Sequence, residues 1–214
     1  MPDSTTITKF RKLLNDNKLG EALFAQVGGE LQARGFKVNT GSIVDATIID
    51  APSSTKNADK ARDPDMLQTR KGQQWYFGMK LHIGVDSQSG MTHSAVVTAV
   101  NVHDKHPLPD LLHGNEQRVY GDSAYASQKD LIASKAPNAR DFTNQRTRYA
   151  GIVDQAVRAK NRNKSKIRSR VEHVFGVVKR LWGFGKVVTV DCKRMPHGRS
   201  RHWRWPTFTL VVKG

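Results

Sequence analysis

The run Ile43-Val44-Asp45-Ala46-Thr47-Ile48-Ile49 is apolar on both faces except for one carboxylate. A strand of that kind has to be covered above and below, which makes it the centre of a sheet flanked by helices. Asp45 is costly to desolvate there, so it faces a cation or is neutralised, unless it stands at the strand end in water. Further on, Phe77, Met79, Leu81, Ile83 and Val85 alternate with Gly78, Lys80, His82, Gly84 and Asp86, and a turn at 86–90 leads into 91–100. This reads as an antiparallel hairpin. A short strand over 117–121 ends at Asp122, a helix follows over 127–134, and 164–181 carries the clearest helical period of the chain. Strand, hairpin, strand, helix and a long basic helix together predict an α/β domain with a mixed sheet rather than a sandwich or a bundle.

Three parts are expected. Residues 1–40 read as a short helical N-terminal segment of two helices: Ser4, Thr5 and Thr6 offer caps ahead of Ile7, Phe10, Leu13 and Leu14, and Leu19, Leu23, Val27 and Leu31 run to a stop at Gly35. A DNA-binding pair and plain packing are both open for it. Residues 41–186 form the main domain. Within it, 51–74 is polar, holds two prolines and shows no period, so it reads as a loop carrying Lys56, Lys60, Arg62, Arg70 and Lys71. A loop so long is unusual unless it is functional. Residues 187–214 form an atypical, poorly packed tail with two prolines, Trp203, Trp205 and no helical period, for which a reading-frame shift near Lys186 is one explanation.

Charge narrows the partner. Lys and Arg outnumber Asp and Glu by 35 to 19, a net +16, which selects for polyanions. Between Ala156 and Lys186 stand ten Lys or Arg and a lone acid, Glu172. No apolar stretch approaches the ~18 residues of a membrane span, and the opening residues lack a secretory pattern, so a cytoplasmic protein is expected. Cys192 is the single cysteine, which leaves oxygen or imidazole ligands for any metal.

Three carboxylates carry the chemical reading. Asp122 leaves a strand among the small residues Gly121, Ser123 and Ala124, at the kind of strand end where α/β sites gather. Glu172 lies about 100° around the helix from Val171, beside the stripe Ile167, Val171, Val174, Val178 and Leu181, with Arg168 one turn before it and Lys179 two turns after. For this helix taken alone, an ordinary surface ion pair between Arg168 and Glu172 is the simpler reading. Two strands and a helix that each offer an acid, in a strongly basic chain, suggest phosphodiester chemistry with two divalent ions, Mg2+ or Mn2+, roughly 4 Å apart. Lys164 and Lys166 are expected on the DNA backbone. Lys80 and His82 share a strand face and reach DNA or support the site, or simply face solvent. Asp50 and Asp86 are rivals to Asp45, although Asp86 opens a turn that favours aspartate. His103 and Asp104 begin a helix or support a metal ligand, and Trp75 stacks on an unpaired base or, more simply, joins the core.

The set VDATIIDAPSSTKN (44–57), QWYFGMKLHIGVD (74–86), Asn101-Val102-His103-Asp104, YGDSAY (120–125) and RSRVEHVFGVVKR (168–180) resembles the DDE transposases of bacterial insertion sequences, in particular the IS-five group. The resemblance covers about residues 3–186. It implies a ribonuclease-H-like domain with the triad Asp45, Asp122 and Glu172 as catalytic and metal-holding residues. Double-stranded DNA is the implied partner, both as transposon terminal inverted repeats and as target, with a homodimer on the DNA as one arrangement. Arg168, Glu172 and Lys179 match the spacing of the family's Tyr-Arg-Glu-Lys signature, whereas Ser165 stands where the tyrosine is expected. A non-catalytic DNA-binding remnant of such an enzyme is the alternative reading.

Overall fold

The computed structural model describes residues 3–36, 40–53, 62, 66–149 and 152–186. Two compact units divide the chain after Val38. In the first, α1 (Ser4–Asp16) and α2 (Leu19–Ala33) form as the apolar spacing predicts. The cap of α1 is Asp3, one residue before the expected group; its carboxylate accepts the Thr6 N–H at 2.7 Å. Gly35, at φ +76°, follows the end of α2, where a left-handed residue commonly stops a helix.

The second unit is built on β1 (Gly41–Asp50), β2 (Leu67–Lys71), β3 (Gln74–Asp86), β4 (Thr92–Ala99), β5 (Arg118–Tyr120) and β6 (Arg140–Asp141). Its strand order is β2-β3-β1-β5-β6 with β4 also paired to β3, antiparallel among β1 to β4 and parallel from β1 through β5 to β6. This is the ribonuclease-H-like mixed sheet that the sequence leads one to expect, with β1 at its centre. Asp45 stands opposite Ile83 on one side, and Ile43 stands opposite Tyr120 on the other.

The segment read as a continuous loop contains β2, which is a correction. Arg70 pairs with Trp75 and Lys71 with Gln74 across a turn that uses Gly72 at φ +63°. LQTRK has only Leu67 as an apolar residue, so no hydrophobic alternation marks it as a strand; the tight turn supplies the pairing. Farther along β3, Gly78 passes the end of β1 so closely that a Cβ there would lie 2.3 Å from the Ile49 carbonyl oxygen.

Alternation along β1 sends Val44 to one face and Ile43 and Asp45 to the other. On the Val44 face, α3 (Leu108–Leu111) and α4 (Lys129–Lys135) close a core of Val44, Leu108, Leu111, Val119, Tyr125 and Ile132. On the Asp45 side, after the short ribbon β7 (Arg148–Tyr149) and β8 (Ile152–Val153), come α5 (Gln155–Arg168) and α6 (Arg170–Gly176), the latter packed on β1. The single helix expected over 164–181 is therefore longer at its start and broken at Ser169. It ends in a π-helical turn, Val177–Leu181, where Trp182 N–H reaches back five residues to the Val177 carbonyl at 3.1 Å. That wider turn rotates Leu181 off the stripe and leaves it 76% exposed. Val171, Val174, Phe175 and Val178 stay buried, each worth about 1.5–3 kcal/mol. They fix α6 on the sheet far more firmly than any exposed ion pair on it, since such a pair contributes about 0–1 kcal/mol.

After the π-helical turn, Lys186 bridges to Asp50 at the end of β1. The expected tail, 187–214, and the loop lysines Lys56 and Lys60 lie outside the described residues.

Candidate active site

Asp45 sits in the middle of β1 and is 9% exposed, so it is not a solvated strand end. Its Oδ1 accepts the Ala46 N–H at 2.8 Å, and its Oδ2 accepts from the Arg168 guanidinium. Burial pushes its pKa up to about 6. The Ala46 N–H and Arg168 pull it back, while the carboxylates of Asp122 and Glu172 push it further up. Groups 77 and 127 residues farther along the chain thus act on Asp45 through space.

Asp122 leaves β5 half-buried, and its Oδ1 accepts the Ala124 N–H at 2.9 Å. The preceding Gly121 has no room for a side chain: a Cβ would lie 2.9 Å from the Tyr125 ring and 3.2 Å from Val44. Tyr125 is fully buried, and its hydroxyl has no hydrogen-bond partner among the described residues. Burial first, then the negative charges of Asp104, Asp45 and Asp122, push its ionisation far above the usual range, so it remains a neutral donor. The sequence reading missed this residue; its only signal was a tyrosine inside YGDSAY. Glu172, on the first turn of α6, has a side chain 62% exposed and lies 4.0 Å from Arg168 Nη2.

Lys80 and His82 do share a face of β3, but that face is largely covered, which corrects the reading of it as a solvated face. His82 is wholly buried, with Nε2 3.0 Å from Thr98 Oγ1 and Nδ1 3.8 Å from Asp104. Burial lowers its pKa to about 4, against the pull of Asp104. Lys80 Nζ donates to the Val102 carbonyl at 2.8 Å and to Asp104 Oδ1 at 2.9 Å. Asp104 is therefore held by Lys80, with the buried His82 imidazole close beside it.

The remaining basic residues divide by exposure. Lys166 is exposed on α5, whereas Lys164 Nζ donates to the Thr143 carbonyl at 2.8 Å and anchors that helix. Asn144 Nδ2 donates to Ser165 Oγ at 3.0 Å, the position where the family's tyrosine is expected. Lys179 borders a cavity of about 350 Å³ together with Asp50, Arg70, Lys71, Lys80 and Asp104. Partial burial, then the neighbouring charge of Lys71, lowers the Lys179 pKa, while Asp50 and Glu172 oppose the shift. Asp86 is fully buried and accepts from the Ser89 N–H at 3.1 Å and Ser89 Oγ at 2.5 Å, so it serves the turn and not the acidic centre. Trp75 is 64% exposed on the β2–β3 hairpin, which overturns its core reading.

Among the described residues, no three His, Cys, Asp or Glu side chains stand close enough together to hold a metal ion. The acids supply the hard oxygen donors that suit Mg2+, but the cation on Asp45 here is the Arg168 guanidinium.

A ribonuclease-H-like sheet with a buried acid on its central strand, two further acids acting on it and a basic covering helix defines a nucleic-acid-processing class of protein. Within that class the chain belongs to the transposase DDE domain family, whose model matches residues 37–190. No solved structure matches the chain. Membership carries transposase function in general and DNA as the substrate. Among the described residues no helix is long and apolar enough to cross a membrane.

Proposed function

We propose that the chain cleaves DNA at transposon ends and joins the freed 3′-hydroxyl to target DNA, with Asp45, Asp122 and Glu172 as its catalytic, metal-holding carboxylates. One observation carries this reading: the carboxylates of Asp122 and Glu172 act electrostatically on the buried Asp45, although they come from distant parts of the sequence. Two Mg2+ or Mn2+ ions, when bound, supply activation of the attacking hydroxyl and stabilisation of the leaving oxygen. The chain's own residues hold and orient. The buried stripe of α6 fixes the backbone of Glu172 against β1, Gly121 lets Tyr125 pack beside Asp122, and the exposed Lys166 meets DNA phosphates together with Arg168 and Lys179. Phosphate contacts of this kind position the duplex without reading its bases.

The division into a helical segment over 1–40, a catalytic domain over 41–186 and a separate tail belongs to the same proposal. Limited proteolysis tests it, with a resistant fragment ending near Lys186 as the expected result. Bacterial cytoplasm, where the DNA is, would be its working compartment, and a homodimer on the two ends would be its active assembly.

The deciding experiment is cleavage of end-containing DNA in Mg2+ by the wild type and by Asp45→Asn, Asp122→Asn and Glu172→Gln. The expected result is loss of cutting in all three, with DNA binding kept or slightly improved as a negative charge near phosphate disappears. A second reading, a DNA-binding remnant that does not cut, has one observation on its side: the acids do not gather as a metal cluster. A wild type that binds the ends and never cuts them would establish that reading instead.

A further inference from the structure

Arg168 is the last residue of α5, and its guanidinium bridges two of the three proposed metal-holding acids. Nη1 donates to Asp45 Oδ2, and Nη2 lies 4.0 Å from Glu172 Oε1. A cation shared by Asp45 and Glu172 would have to stand in the same place. The fit of the arginine is incomplete, since its Nε is buried without a hydrogen-bond partner among the described residues. Leaving such a donor dry is costly, and an arginine in a purely structural role avoids this by filling its fork. Asp45 gains from the arrangement, because a buried carboxylate with a cation beside it is far cheaper than one without.

We propose that Arg168 is a removable plug that holds the cation position between Asp45 and Glu172 in the metal-free protein and yields it when divalent ions bind. This rests on the reading of Asp45, Asp122 and Glu172 as the acidic centre. A guanidinium and a divalent ion repel one another at this distance and compete for the same oxygens, so occupancy by one excludes the other. The displaced side chain is long and starts from a helix end beside Ser169, where α5 stops and α6 begins, so rotation about its own torsions releases it without unfolding either helix. Once released, it presents a bidentate donor to a DNA phosphate. Two consequences follow from that exchange. Ions bind weakly without DNA, because they must first displace Arg168; and DNA and ions raise each other's affinity by the same factor, because both favour the released side chain.

The test is Mn2+ binding to the full chain, followed by electron paramagnetic resonance with and without end-containing DNA. The wild type is compared with Arg168→Gln, Arg168→Lys, Asp45→Asn and Glu172→Gln, and the fold of each is checked by circular dichroism. Without DNA, Arg168→Gln is expected to bind Mn2+ about tenfold more tightly than the wild type, within the ordinary range of coupling between sites, and to lose the gain that DNA confers. Arg168→Lys should fall between the two. If Asp45→Asn and Glu172→Gln bind Mn2+ as the wild type does, the acidic-centre reading fails. If they bind it weakly while Arg168→Gln is unchanged or weaker, the centre stands and the plug is overturned. Should Arg168→Gln not fold, the nitrogen-15 signal of the Arg168 Nε in the wild type replaces it. Mg2+ must shift that signal in the wild type but not in Asp45→Asn, and a signal that Mg2+ leaves unmoved overturns the plug.

Discussion

The Lys80 ammonium donates to the Asp104 carboxylate at 2.9 Å directly beside His82, which has no exposed surface. Lysine and carboxylate together form a charged pair at the edge of the core, and the imidazole stays neutral because burial outweighs the nearby carboxylate.

That neutrality makes stability depend on pH. The folded pKa of His82, about 4, lies below its unfolded value of 6.5, so the unfolded chain binds the proton more readily. The contribution is complete above pH 6.5 and is lost as pH falls toward 4, reaching a loss of about 2–3 kcal/mol at pH 4.5. Urea unfolding at pH 7.5 and 4.5 should show the wild type losing more stability than His82→Gln by that amount. Equal losses would mean that the imidazole is charged or solvated in the folded protein.

The two α5 lysines should separate in their effects. Lys166→Ala removes an exposed charge and is expected to reduce the slope of log affinity against log salt by about 0.9 while leaving the melting temperature unchanged. Lys164→Ala breaks the tie to the Thr143 carbonyl and should lower the melting temperature. Fluorescence anisotropy across a salt series, paired with thermal melts, checks both; identical behaviour of the two variants would count against the division.

Gly121→Ala tests the packing behind Asp122. The added methyl would meet the Tyr125 ring at 2.9 Å in a closed core, an overpacking that costs about 1–3 kcal/mol. Because the displaced ring shares its surroundings with Asp122, cleavage should fall further than the loss of folded protein accounts for. Denaturant titration and a cleavage assay on the folded fraction measure the two effects, and unchanged values of both would show that the site tolerates a shift of Tyr125.

Trp75→Ala should change stability by less than about 0.5 kcal/mol, as surface substitutions usually do. Its fluorescence should be open to acrylamide, so Trp75→Phe should remove a quenchable share of the emission. A protected Trp75, or a large loss of stability in the alanine variant, would restore the core role.

Local pattern determined much of this protein. Seven residues around Asp45 marked the central strand, alternation in 77–85 marked the hairpin, and the spacing of Val171, Val174 and Val178 marked the face that α6 and the π-helical turn after it bury. These features are legible because each is a repeat within one element, set by backbone geometry. What the sequence could not decide depended on contacts between elements. Alternation put Lys80 and His82 on one face, but only the neighbouring segment around Asp104 made that face interior. The same limit hid β2, whose pairing comes from a glycine turn, and left Trp75 ambiguous between core and surface. Arg168 shows the difference most clearly. Spacing along the helix offered it Glu172, and that contact exists at 4.0 Å with a solvated partner; yet the guanidinium bonds to Asp45, 123 residues away. Water screens the local pair, whereas the buried carboxylate meets the same charge in a poorer dielectric, so the distant attraction is the stronger one. Only the folded sheet brings that acid within reach.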